Sequence, residues 1–337
     1  MNIKNEIWIL ADNRIGTFSQ AIGLAQEMKI KYKIISLNYR LFAKLPNFLL
    51  KNTLLSYSKK TIQEINNFGY FPSYVISSGR RSSILATYIK KISKNNTKII
   101  QIMNPHLNFN LFDHVIIPQH DSIDVKKYKN IITSIGSLTR VNQQNIDKEK
   151  IKFKFLFEKV KKNKIAVMIG GQSKSNKFDQ DSVKEFSKII SEIALKNNSI
   201  LLIISSRRTS KKTLKIIKSN LNCDYKIFDW NFIKSNNPYL AIIGYANSFI
   251  ITGDSVSMIS ECCSTGKNVF IFDKRKISTK KHKKFHEFLF RNGYAIKLKT
   301  GNIKLKDFKL KKLQESKRVA SLIINKNNFN SKIKPLF

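Results

Sequence analysis

The chain has 337 residues, with 62 Lys and Arg against 22 Asp and Glu and a formal net charge of +40. That length exceeds one ordinary core and suits two domains, and a hydrophobic content of 42% is enough to bury both. The charge invites a nucleic-acid or anionic-membrane reading, but the cations are mostly lysines spread end to end, with no aromatic–basic module among them, so nucleic acid is set aside.

In chain order, EIWILAD reads as a short apolar strand, followed by a polar turn (Asn13, Arg14, Gly16) and an amphipathic helix, FSQAIGLAQEMK, with Phe18, Ile22, Ala25 and Met28 at helical spacing. KIISLN is a second strand. The segment YRLFAKLPNFLLKNTLL (39–55) mixes Phe42, Leu45, Phe48, Leu49 and Leu50 with Arg40, Lys44 and Lys51. That pattern suits either a face resting on anionic lipid or a cover over the first core, and Pro46 interrupts any single helix. YVISSGR, KIIQIM, HVIIPQ and NIITSIG follow as strands, with SSILATYIKKI as a helix between the first two. Residues 143–162 are Lys-rich and read as a linker, although IKFKFLF within them alternates like a strand.

A second alternating half begins at KIAVMIGG. It continues through DSVKEFSKIISEIALK (helix), SILLIISSRR, TSKKTLKIIKS (helix), YKIFDW, NPYLAIIGYA (helix), SFIITGDS, SVSMISECCSTG (helix) and NVFIFD. Strands that are apolar throughout, separated by helices of ten or more residues, indicate parallel sheets covered on both faces. The expectation is an α/β protein of two Rossmann-like domains whose parallel sheets face a cleft. The domains are read as residues 1–155 and 156–310, with 311–337 a basic tail packing back on the first. No run approaches the ~20 apolar residues of a membrane span, and MNIKNEIWIL enters a strand pattern without signal-peptide features. Three cysteines, two of them adjacent, suit a reducing cytoplasm rather than a disulfide framework. A cytoplasmic protein is expected, with peripheral contact at the inner face of an anionic membrane.

Ligands of open parallel sheets bind beyond the carboxyl ends of the strands, and the polar clusters fall there. On the second half, Gly170, Gly171, Gln172 and Ser173 follow one strand, Arg207 and Arg208 another, and Gly253, Asp254, Ser255 and Ser257 a third. Glycines let backbone amides approach a diphosphate, guanidinium forks match phosphate, and a Ser-rich helix start offers hydroxyls and amides. The competing readings are a plain turn, surface charge and an N-cap. Glu261, about two helical turns on, can accept from ribose hydroxyls or sit on a solvated face. On the first half, Arg80 and Arg81 read as an acceptor-side anion clamp. Asp12 and Arg14 occupy the first loop, where a general base or positioning group would lie. His282 and His286 have the spacing of a metal pair but no assignable third ligand, so neither a metal nor another cofactor is expected.

Seven ordered blocks carry a resemblance: DNRIGTFSQAIGLA, SSGRRS, QIMNPHLNFNLFDHVIIPQHD, IGGQSKSNKF, SSRRT, NPYLAIIGYANSFIITGDSVSMISECCSTGKNVFIF and KFHEFL. Over nearly its whole length the chain resembles the bacterial branch of the mitochondrial fission factor family of the elongated-mitochondria type. Asn13 stands where the usual first block has glycine. The resemblance implies a GT-B glycosyltransferase type of fold, and bacterial members have been labelled nucleoside-diphosphate-sugar epimerases. The block around Glu261 also looks like the donor helix of the transferase that adds N-acetylglucosamine to a lipid-linked peptidoglycan precursor, with Glu261 at the ribose-binding position and Gly266 ending the helix. Two functions stand: an enzyme handling a nucleoside-diphosphate sugar, a glycosyltransferase before an epimerase, and a non-catalytic adaptor that kept the fold and lost turnover.

Overall fold

The computed structural model describes residues 2–12, 14–51, 53–171, 178–232, 236–299, 305 and 308–332, with residues 326–332 described by backbone alone. The chain divides into two compact units. One comprises residues up to 140 together with those from 314; the other comprises 141–313.

The first unit runs β1 (Ile3–Ala11), α1 (Ile15–Met28), β2 (Tyr32–Ser36), α2 (Asn47–Leu50), α3 (Lys59–Asn66), β3 (Phe71–Ser78), α4 (Arg80–Ile92), β4 (Lys98–Ile102), β5 (His114–Pro118) and β6 (Ile131–Ser134). Its strands form one parallel sheet in the order β2-β1-β3-β4-β5-β6. The period-2 geometry of β1 sends Trp8 and Leu10 into a core with Ile84, Leu85 and Ile89 of α4, and Ile7 and Ile9 into the opposite core with Leu24 and Ala25 of α1. A strand buried on both faces must be apolar throughout, which is why EIWIL shows no alternation.

The second unit runs α5 (Gln143–Lys152), α6 (Lys154–Phe157), β7 (Asn163–Met168), α7 (Gln180–Lys196), β8 (Ser199–Ile204), α8 (Lys211–Ser219), β9 (Tyr225–Phe228), α9 (Tyr239–Tyr245), β10 (Ser248–Thr252), α10 (Val256–Cys263), β11 (Asn268–Phe272), α11 (Lys280–Arg291) and β12 (Ile296–Lys297). The sheet is again parallel, ordered β12-β11-β10-β7-β8-β9. The last helix, α12 (Glu315–Lys332), belongs to the first unit. It is anchored by Glu315, which accepts the Ile135 amide at 2.7 Å, and by Ser316, which exchanges hydrogen bonds with Thr139. Val319, Ala320 and Ile323 then join the α1 core.

Two expectations differ from the structure. IKFKFLF is helical, not a strand: Asn142 caps α5 through the Asn145 amide, and Phe153 and Phe157, four apart, are both buried. Residues 141–155 therefore lie in the second unit rather than the first. Tyr245 of α9 stacks on Phe157 at 4.8 Å and donates to the Lys150 carbonyl, and any Cβ at Gly244 would strike Ile146.

Candidate functional site

In the second unit the rim of the sheet is organised around Asp254, whose side chain is 3% exposed. Its Oδ1 accepts the Thr252 hydroxyl at 2.7 Å; its Oδ2 accepts the Gly171 amide at 2.8 Å and the Arg208 guanidinium at 3.2 Å. Burial pushes this carboxyl above the usual range, against the pull of Thr252, the Gly171 amide and Arg208. One carboxylate thus ties together the ends of β7 and β10 and the loop after β8.

The glycine pair is explained by the same network. A Cβ at Gly170 would fall on the Asp254 carboxylate, and one at Gly171 on the Arg208 carbonyl. Their amides donate to Thr252 Oγ1 at 2.8 Å and to Asp254. Both amides are engaged inside the fold, and the glycines serve close approach. Gln172 and Ser173 lie outside the described residues.

The loop after β8 is locked onto the same point. Ser206 Oγ donates to the Gly170 carbonyl at 2.7 Å, Thr209 Oγ1 donates to the Ile169 and Gly170 carbonyls, and the Ser206 amide donates to Thr209 Oγ1. Ser205 in turn joins the loop after β9, donating to Asp229 at 3.0 Å and accepting the Trp230 amide at 2.8 Å. What faces outward is Arg207, which is exposed, and the Arg208 side chain, which is 41% exposed. Because Arg208 is held on Asp254, its guanidinium stands next to the residue preceding the N-cap of α10.

At that N-cap, Ser255 accepts the Met258 amide and Ser257 follows, both partly exposed. Gly253 donates its amide to Phe272, and a Cβ there would press on Ser278 and His286 of the α11 side. Farther along α10, Glu261 Oε2 accepts the Tyr239 hydroxyl at 2.5 Å. The sequence reading passed over Tyr239; an aromatic at the first position of a helix after Asn-Pro was the available signal. It also passed over Thr252, Ser206 and Thr209, whose small hydroxyls at strand ends fit such inter-loop bonds.

The candidate residues of the first unit are also brought together. The Asp12 carboxylate, 4% exposed, forms an ion pair with Arg81, whose guanidinium lies 4.6 Å from the Tyr39 ring centre. Asp12 is therefore a partner of Arg81 rather than a solvent-facing base. Arg80 donates to the Leu45 and Ala43 carbonyls and to Asn47 Oδ1, so it pins the segment before α2 onto the start of α4. Arg14 is exposed at the start of α1. Among the described residues no cluster of three or more His, Cys, Asp or Glu could hold a metal ion.

One histidine next to the rim generates a pH prediction. The His282 Nδ1 accepts the Thr279 amide, and Thr279 Oγ1 accepts the His282 amide, a reciprocal cap of α11. Burial, then neighbouring His286 and the cationic Arg208 and Lys281, hold His282 down to about 4. The unfolded chain binds this proton near ~6.5, the folded one only near 4, so the contribution to stability is complete above pH 6.5 and is lost as pH falls from 6.5 to 4. With the imidazole partly exposed, the loss is roughly 1–2 kcal/mol after screening. Urea unfolding at pH 7 and 4.5 should show that loss in the wild type. In His282→Gln, which keeps a capping acceptor but cannot titrate, the pH dependence should be smaller by that amount; equal dependence in both proteins removes His282 as its source.

Comparison with known proteins places this architecture. A family model described as Mitochondrial fission ELM1 matches residues 15–326. An uncharacterized protein of Rickettsia prowazekii is 35% identical over 346 residues, covering 94% of this chain and 97% of that protein. The mitochondrial fission protein ELM1 of Arabidopsis thaliana is 26% identical over 220 residues, which is 59% of this chain and 51% of its own length. Among solved structures, the ADP-heptose LPS heptosyltransferase II of E. coli aligns with a TM-score of 0.50 at 8% identity, over 97% of this chain and 99% of that one. Os79 of O. sativa, solved in complex with UDP, aligns with a TM-score of 0.51 at 9% identity, over 96% and 92%. At such identities the likeness shows the fold alone: two six-stranded parallel sheets flanked by helices, of the GT-B glycosyltransferase type. With the match spanning almost the entire sequence, the chain belongs to the mitochondrial fission ELM1 family.

Proposed function

We propose that this chain handles a nucleoside-diphosphate sugar as a glycosyltransferase, with the donor's diphosphate held on the second unit. The observation that carries the reading is Arg208: Asp254 holds its guanidinium at the start of α10, while the side chain as a whole stays 41% exposed. A fixed guanidinium beside a helix N-terminus suits phosphate oxygens and would stabilise the charge of a departing nucleoside diphosphate. Arg207 adds a second cation, Ser255 and Ser257 add hydroxyls, and Glu261, oriented by Tyr239, would accept from the ribose. UDP and ADP are the first nucleotides to try, because Os79 was solved with UDP and the heptosyltransferase is named for an ADP-sugar.

Arg80, Arg81 and Arg14 would place an acceptor's anionic group on the first unit. None of the helices among the described residues is long and apolar enough to cross a membrane. The partner reading for that acceptor side is peripheral contact with an anionic membrane, at its cytoplasmic face.

A second reading, a binding protein without turnover, is favoured by one observation: Asp12, the candidate base, is buried in its pair with Arg81. Titration calorimetry against nucleoside diphosphates separates these ideas. Wild type should bind at least one of them, and Glu261→Ala should weaken that binding by roughly 1–3 kcal/mol, with Tyr239→Phe weakening it less. Wild type that binds none contradicts the donor site, and a folded Glu261→Ala with unchanged affinity removes Glu261 from it. Release of nucleoside diphosphate from a bound nucleotide sugar decides for the transferase; binding with no release under any acceptor decides for the second reading.

A further inference from the structure

We propose that the first unit carries a docking site for the phosphate headgroup of an anionic lipid, with Arg14, Arg40 and Lys44 at its polar end and Leu41, Phe48 and Leu49 at its apolar edge. This rests on the peripheral-membrane reading above and names the chemistry and residues behind it; the nucleotide plays no part in it.

The chain uses lysine about five times as often as arginine, with only ten arginines in all. Four of those ten, Arg14, Arg40, Arg80 and Arg81, line a single cavity of about 760 Å³ in the first unit, together with Lys44 and Tyr39. A lysine-rich composition does not produce that arrangement. Guanidinium is the group whose planar fork matches phosphate oxygens in pairs.

The charges in the cavity are poorly compensated from within. Among the described residues no carboxylate lines it, and of its arginines only Arg81 has an acidic partner, Asp12. Arg80 spends its donors on carbonyls and an amide, so its positive charge stays uncancelled. Among the described residues no carboxylate pairs with Arg14, Arg40 or Lys44. Like charges gathered this way repel one another, and an external anion relieves the repulsion. Tyr39 also lines the cavity, and its hydroxyl is buried with no hydrogen-bond partner among the described residues.

The segment that supplies Leu41 and Phe42 to the cavity lining continues into further exposed apolar side chains, which a soluble phosphate would not need. Leu41 is 80% exposed, Phe48 67% and Leu49 59%, with Phe42 and Leu45 beside them. These side chains are displayed on a pinned backbone. Asn47, itself buried, donates to the carbonyls of Arg80 and Pro105 and to Ser83 Oγ at 2.7–2.9 Å, while Leu50 points into the core. Cations around a pocket with large apolar groups at its edge match one molecule that carries both features, a phosphate ester on an acyl chain.

Co-sedimentation of the full chain with vesicles tests this. The vesicles are phosphatidylcholine alone, phosphatidylcholine with phosphatidylglycerol, and phosphatidylcholine with phosphatidic acid, the last two at matched surface charge. Wild type should partition onto phosphatidic-acid vesicles about tenfold more strongly than onto phosphatidylglycerol, since only the former offers a terminal phosphate to a guanidinium fork. Arg40→Ser with Lys44→Ser should lose that preference. Leu41→Ser with Phe48→Ser and Leu49→Ser should lose all vesicle binding while unfolding at the wild-type temperature. Wild type staying in the supernatant with every vesicle overturns both the headgroup site and the peripheral reading. Equal binding to both anionic vesicles, or a preference that survives in Arg40→Ser/Lys44→Ser, overturns the headgroup site and leaves peripheral contact standing. Calorimetric binding of inorganic pyrophosphate that is lost in Arg40→Ser/Lys44→Ser, without any sedimentation of the wild type, assigns the cavity to a soluble anion and also overturns the proposal.

Discussion

The second unit depends on one buried carboxylate. Asp254 accepts from the β7 end, the β10 end and the loop after β8, and it sits where two glycines have made room for it. A buried charge of this kind is costly unless every lone pair has a partner. Here a hydroxyl, an amide and a guanidinium supply those partners, and the consequence is a rim that cannot rearrange piecemeal. Arg208 is positioned by the same bond, so the element that fixes the rim is also the element that aims its exposed cation. Replacing Asp254 would disturb the loop before it disturbed any ligand.

The first unit uses its rim differently. Its carboxylate, Asp12, has a single ion pair with Arg81, and Arg80 is committed to backbone carbonyls of the segment leading into α2. The arginines there hold a cation-lined cavity and a segment with exposed apolar side chains in place. Both units are therefore parallel sheets with polar rims, but one rim is knitted by hydroxyls around an acid and the other is dominated by uncompensated positive charge. That difference fits a division in which one unit takes a donor and the other an anionic, lipid-like partner.

Much of the fold was legible in the sequence because doubly covered parallel strands must be apolar throughout. EIWIL, KIIQIM, HVIIPQ, SILLII and NVFIF could be read on that rule alone, and each is a strand in the structure. IKFKFLF was not legible, because alternation over seven residues and an i,i+4 pair of phenylalanines are the same letters; in the structure Phe153 joins α5 to α6, and it and Phe157 are both buried. The loops that form the rims could be placed from the ends of those strands. Which atoms in them are engaged could not. Gly170 and Gly171 read equally well as a diphosphate cradle or as a close approach, and only the position of Asp254 distinguishes the two. Tyr239 carried no spacing signal connecting it to Glu261, twenty-two residues later, because their contact is a tertiary one between the start of α9 and α10.

The central claim is that the second unit's rim takes a nucleoside diphosphate. Amide hydrogen exchange on the full chain, with and without UDP or ADP at saturating concentration, tests it most directly. The account predicts slowed exchange in three separated stretches, 205–209, 253–258 and around 261, with strands β1–β6 unchanged. Uniform protection across the chain, protection confined to residues 39–55 and 80–81, or no protection with any nucleotide would contradict it.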